Sequence, residues 1–168
     1  MNKRITKLLV LLLVIGMFSF FAYSLLNKAK TTDVGDKAYN FELENLQGKQ
    51  TKLSDYKGNI IVLNYFATWC APCVEEAPEL QAFDKDYGDK YKILFIDRGE
   101  TRDHVKTFVE KNKSVSTYLF DYNAKVSKIY NVTGQPETFV IDKKGIIRNH
   151  YNGPLTEMEL YNMVKKYD

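Results

Sequence analysis

Cys70 and Cys73 are the only cysteines in 168 residues, and they stand three positions apart in Trp69-Cys70-Ala71-Pro72-Cys73, beside the only tryptophan. Sulfurs at that spacing can bridge within one helical turn. They are too few for a four-ligand structural zinc site. A bridge closing so short a loop constrains the unfolded chain little, so stapling explains it poorly. Redox exchange is the leading reading, with an inert pair or metal delivery as alternatives. The apolar run Ile60-Ile61-Val62-Leu63-Asn64-Tyr65-Phe66 leads in and the helical pattern Val74-Glu75-Glu76-Ala77-Pro78-Glu79-Leu80 leads out, so Cys70 falls where a strand becomes a helix. Free N–H groups and a partial positive charge at that helix start stabilise a thiolate, the form that attacks disulfides. Pro72 near the first turn removes an N–H that would lack a partner anyway. Cys70 is therefore expected as the exposed nucleophile. Cys73, one turn in and more covered, is expected as the resolving thiol that attacks the mixed disulfide.

The elements that must hold this pair can be read from periodicity. Ile60–Phe66 is nearly all apolar, as a central parallel strand covered on both faces would be. A helix is expected over Ala71–Tyr87, with Val74, Ala77, Leu80 and Phe83 at three- to four-residue spacing, Pro78 kinking it and Gly88 ending it. Before them, Phe41–Glu44 and Thr51–Leu53 flank a turn and read as a hairpin, and Ser54–Gly58 as one helical turn. After them come a strand at Tyr91–Asp97, an amphipathic helix at Thr101–Lys111, a short strand at Thr117–Phe120 and a short helix at Ala124–Tyr130. Strands Thr138–Asp142 and Ile146–His150 surround the turn Lys143-Lys144-Gly145, and a helix over Thr156–Tyr167 starts on a Thr156/Glu159 capping box. The alternation implies an α/β fold with a parallel section to which the last hairpin adds antiparallel strands.

Charge divides the chain. Lys3, Arg4 and Lys7 are the only charged side chains before Lys28, and beyond that point 21 basic residues balance 21 acidic ones. A neutral domain carries no nucleic-acid footprint. Leu8–Leu26 is free of charge, and as a helix of ~1.5 Å per residue it would extend ~29 Å, about one hydrocarbon core. Its length favours an uncleaved anchor; Ala22-Tyr23-Ser24 is a weak cleavage exit and keeps a removed signal peptide open. The expected organisation is a cytoplasmic basic tip and single transmembrane helix at 1–27, a tether at 28–36 and an extracytoplasmic domain at 37–168, oriented by the basic residues at the N-terminus against Lys28 and Lys30.

Asn64-Tyr65-Phe66-Ala67-Thr68-Trp69-Cys70-Ala71-Pro72-Cys73, Glu76 and Pro78, and Gly134-Gln135-Pro136-Glu137-Thr138-Phe139-Val140-Ile141-Asp142 together resemble the thioredoxin-like fold, specifically the membrane-tethered TlpA, ResA and DsbE (CcmG) group, over about Asp36 to Tyr167. The resemblance implies a three-layer sandwich, with a mixed central sheet between helices and an N-terminal hairpin extension. It makes Pro136 the family's cis-proline beside the sulfurs and leaves the Gln135 backbone to pair with an extended substrate peptide. Thioredoxin itself has a buried Asp six residues before its first cysteine, where this chain has Asn64; the group keeps a Glu where Glu76 stands. Glu76 would then move the proton at Cys73, with a pKa raised if the side chain is buried; Glu75 and Glu79 read as solvated. Trp69 is expected to pack beside the nucleophile and help form the docking surface, and Glu137 is given a minor substrate-facing role. His104 and His150 read as surface residues.

The function implied is reduction of the CxxCH disulfide of apocytochrome c. Electrons would come from a membrane thiol-transfer protein of the CcdA/DsbD type, and the protein would act as a monomer with no metal or other cofactor beyond the Cys70–Cys73 disulfide. Reduction of other exported proteins (spore-coat or cell-wall maturation) and disulfide-introducing oxidation stay open, because CxxC potentials run from ~−270 to ~−120 mV. A copper-binding assembly factor on the same fold is disfavoured by the two-residue spacing and by the lack of Met or His near the cysteines.

Overall fold

The computed structural model describes residues 3–26 and 31–168. It divides into two units, Met1–Lys30 and Thr31–Asp168, each taken by itself. In the first, helix α1 covers Lys3–Leu26. Its apolar side chains, such as Leu13, Phe18, Phe20 and Phe21, are exposed. Among the described residues no helix is long and apolar enough to cross a membrane. The expected flanking charges Lys28 and Lys30, and the side chains of Lys3 and Arg4, lie outside the described residues.

The second unit runs β1 (Glu42–Asn45), β2 (Gln50–Lys52), a 3-10 turn (Leu53–Tyr56), β3 (Ile60–Phe66), α2 (Ala71–Tyr87), β4 (Tyr91–Asp97), α3 (Arg102–Asn112), β5 (Thr117–Phe120), α4 (Lys125–Ile129), β6 (Glu137–Ile141), β7 (Ile147–Asn152), α5 (Glu157–Val164) and a last 3-10 turn (Lys165–Tyr167). The strands form one sheet in the order β2-β1-β5-β4-β3-β6-β7. Strand β4 is parallel to both β3 and β5, whereas β6 runs antiparallel to β3 and β7 to β6.

Every residue of β3 is buried because both faces of the sheet are covered. Ile60, Val62 and Phe66 join Leu80 and Phe83 of α2, Val105 of α3 and Leu160 of α5. Ile61, Leu63 and Tyr65 join Phe41, Val126 of α4, Tyr130 and Phe139 on the other side. This alternation, set by the two-residue period of a strand, makes the expected three layers. It also puts Asn64 on the face that α2 covers.

Within the stretch read as a tether, pairing with the domain begins at Thr32. Thr32 donates its backbone N–H (2.8 Å) and its hydroxyl (3.2 Å) to the Ile129 carbonyl. Gly35 and Asp36 exchange backbone bonds with Ile147, and Lys37 bridges Ile146. A polar stretch without periodicity hides such pairing, because backbone groups carry it. The final helix also stops at Val164 and tightens into the 3-10 turn; its Thr156/Glu159 capping box is formed as expected.

Candidate active site

Strand β3 ends at Phe66, and the chain turns through Ala67–Trp69 before α2 begins at Ala71 with Cys70 as its N-cap and Pro72 in its first turn. Cys70 and Cys73 form a disulfide with their Cα atoms 5.3 Å apart. Cys70 is 7% exposed and Cys73 2%. Cys70, the expected nucleophile, is thus the more exposed residue of the pair, but less open than expected, with the loop before Pro136 lying against it. The Gln135–Pro136 bond is cis, and the Gln135 carbonyl oxygen is 3.5 Å from Cys70 Sγ. Beside them opens a groove of about 650 Å³ lined by Trp69, Cys70, Pro72, Arg98, Thr133 and Gln135, among others. Trp69, 71% exposed, forms one wall.

Beneath the disulfide, Glu76 sits one turn beyond Cys73 and is only 3% exposed. Its Oε2 accepts from Asn64 Nδ2 (3.2 Å) and its Oε1 from the Leu155 N–H (2.9 Å). Asn64 also donates to Thr138 Oγ1 on β6 at 3.0 Å. Burial pushes the Glu76 carboxyl up to about 7, against the opposing pull of those two hydrogen bonds. A carboxyl that is half protonated near neutrality can both give and take a proton. Glu75 and Glu79 are exposed, as expected.

Glu137 departs from its expected role. It is fully buried, and both oxygens are committed: Oε2 accepts from the Thr133 (3.0 Å) and Gly134 (3.1 Å) N–H groups, while His150 Nε2 lies 2.5 Å from Oε1. With no exposed surface it does not face a substrate; the carboxylate holds the loop that carries Gln135 and Pro136. His150 is correspondingly not a plain surface residue. Half-buried, it stacks on Phe139 with ring centres 4.1 Å apart. His104 is exposed.

The residues that sequence reasoning passed over are on the opposite side of the cysteine loop. The Glu100 carboxylate accepts from Thr68 twice, from its N–H at 2.6 Å and its hydroxyl at 2.5 Å. The Glu100 N–H donates to Asp97 Oδ1 at 2.8 Å. Asp97 is fully buried at the end of β4, and burial together with the Glu100 carboxyl pushes its carboxyl up. Nothing in the spacing of Asp97 and Glu100 marks them. Glu100 meets Thr68 because β4 lies parallel to β3, with Asp97 opposite Phe66.

A strand-to-helix CxxC with a cis X-Pro loop against it, on a mixed sheet between helices, defines the class: a thioredoxin-like thiol–disulfide oxidoreductase whose electrons are carried by its own cysteine pair. The chain belongs to the AhpC/TSA family, whose profile matches residues 34–150. It is 31% identical over 167 residues to the thiol-disulfide oxidoreductase ResA of Bacillus thuringiensis subsp. konkukian, covering 98% of this chain and 96% of the relative. It is 29% identical over 164 residues to the thioredoxin-like protein YneN of Bacillus subtilis, covering 95% of this chain and 96% of that one. Among solved structures, a candidate thiol:disulfide interchange protein DsbE of Chlorobium tepidum superposes with a TM-score of 0.75 at 25% identity, covering 82% of this chain and 99% of that chain. These relatives agree with the TlpA/ResA/DsbE resemblance.

Proposed function

We propose that this oxidoreductase works as a reductant, held to the cell membrane by α1 with its catalytic domain outside, and that its substrate is the CxxCH disulfide of apocytochrome c. The observation that carries the dithiol-exchange reading is the Cys70–Cys73 disulfide at the start of α2 with the buried Glu76 one turn beyond Cys73; the ResA/DsbE resemblance supports reduction as its direction. Cys70 thiolate attacks one substrate sulfur; that S–S bond breaks, a mixed disulfide forms, and the departing substrate thiolate takes up a proton. Glu76 accepts the proton of Cys73, whose thiolate attacks Cys70 Sγ. The second substrate sulfur leaves as a thiolate and takes up a proton as the Cys70–Cys73 disulfide closes. Two electrons have passed to the substrate, and a membrane dithiol protein of the CcdA/DsbD type restores them. The groove beside Cys70, with the Gln135 backbone along it, supports docking of an extended peptide. The family resemblance supports the choice of apocytochrome, and the uncharged run Leu8–Leu26 supports the anchor.

A resolving-cysteine variant tests the substrate. Cys73→Ser should hold clients as mixed disulfides on Cys70, and apocytochrome c should be among them in cells that make it. Capture of other exported proteins without it would overturn the substrate and leave the enzyme class. For the anchor, the protein should stay with membranes through a carbonate wash; recovery of a soluble form beginning near Leu25 would count against it.

A further inference from the structure

Of the residues lining the groove beside Cys70, only Arg98 carries a charge. It is half-buried, and no ion pair among the described residues includes it. Asp97 accepts the Glu100 N–H and Glu100 grips Thr68, and neither acid enters an ion pair with the guanidinium. The same bonds hold Arg98 in place. Asp97 is tied to β5 through the Asp121 N–H, which donates to its carbonyl at 2.9 Å, and Gly99 makes the tight turn at φ +93° that brings Glu100 back to the cysteine loop. The chain thus fastens a single uncompensated cation to the loop that carries the nucleophile, on the wall of the groove a substrate must enter. A guanidinium there favours a carboxylate by charge and by its paired N–H geometry, and a like charge is repelled.

We propose that Arg98 is a specificity-determining residue: the groove selects disulfides whose reacting cysteine has an aspartate or glutamate beside it. This rests on the reading that substrates dock in the groove between Trp69 and Gln135.

The test uses the full-length protein in detergent, reduced and freed of reductant, against acetylated and amidated peptides. Each peptide has one internal disulfide, and they differ only in the residue next to the reacting cysteine: Glu, Gln or Lys. The wild type should reduce the Glu peptide about 5-fold faster than the Lys peptide, with the gap narrowing as salt is added. Arg98→Glu should invert the order, and Arg98→Gln should bring the two rates together. Because the readout is a ratio within each protein, a general loss of activity does not mimic it. Equal rates in the wild type, or an unchanged preference in Arg98→Glu, would overturn the role of Arg98 while leaving the groove as docking site. Failure to reduce any of the peptides would overturn both.

Discussion

At the scale of single residues, the site is governed by what burial does to a carboxyl. Glu76 and Glu75 are adjacent and chemically identical, yet one is enclosed beneath the disulfide and the other faces water. Desolvation penalises the charged form, and two hydrogen bonds recover only part of that cost, so Glu76 titrates at about 7. Glu76→Gln should therefore change the pH profile of thiol alkylation in the reduced protein, removing an inflection near neutrality, whereas Glu75→Gln should leave it in place. Equal small effects of the two would remove Glu76 from the proton path. Glu137 shows the complementary case: an acid that looks substrate-facing in the sequence spends both oxygens on the protein.

At the scale of elements, the disulfide is held between two loops that acids pin from within. Glu100 ties the cysteine loop to the end of β4, and Glu137 ties the cis-proline loop to the start of β6. Glu137→Ala leaves the Thr133 and Gly134 N–H groups without their acceptor, and should cost about 1–3 kcal/mol in urea denaturation. It should also slow attack on disulfide peptides, since Gln135 is no longer held against Cys70. A stability loss with unchanged rates would show that the clamp serves the fold alone. Helix α5 is capped next to the site, since Leu155, which bonds Glu76, immediately precedes its N-cap. That N-cap, Thr156, accepts from the Glu159 N–H, so Thr156→Ala should lower stability by about 1 kcal/mol in urea denaturation.

At the scale of the whole molecule, the raised Glu76 pKa is also a statement about folding. The unfolded chain releases this proton near 4.5 and the folded domain near 7. Between those values the native state holds more protons than the unfolded one, so this contribution to stability falls as pH rises through the window. It is fully present below 4.5 and gone above about 7. The oxidised protein should accordingly unfold at lower denaturant at pH 8 than at pH 5, by up to ~3 kcal/mol from this group. Glu76→Gln should flatten the dependence across that interval; an unchanged slope in the variant would place its origin elsewhere.

Much of this was legible beforehand, for identifiable reasons. Strand β3 announced itself because a strand buried on both faces must be apolar throughout, and α2 because its covered face repeats at helical spacing. Cys70 and Cys73 needed no tertiary information, since three residues of separation on a helix start already place the sulfurs in reach. Glu76 could be proposed because the family resemblance marks its position, one turn from Cys73; spacing alone would not set it apart from Glu75 and Glu79. The Glu100–Thr68 grip, the Glu137–His150 clamp and the docking of Thr32 to Asp36 could not be read this way. They join residues from 13 to 97 positions apart, and their partners are chosen by sheet order and register rather than by spacing. Local periodicity dictates which face of an element is covered. Only the packed sheet decides which polar groups then find themselves opposite one another, and so which acids lie beneath the disulfide and which tie down the loops around it.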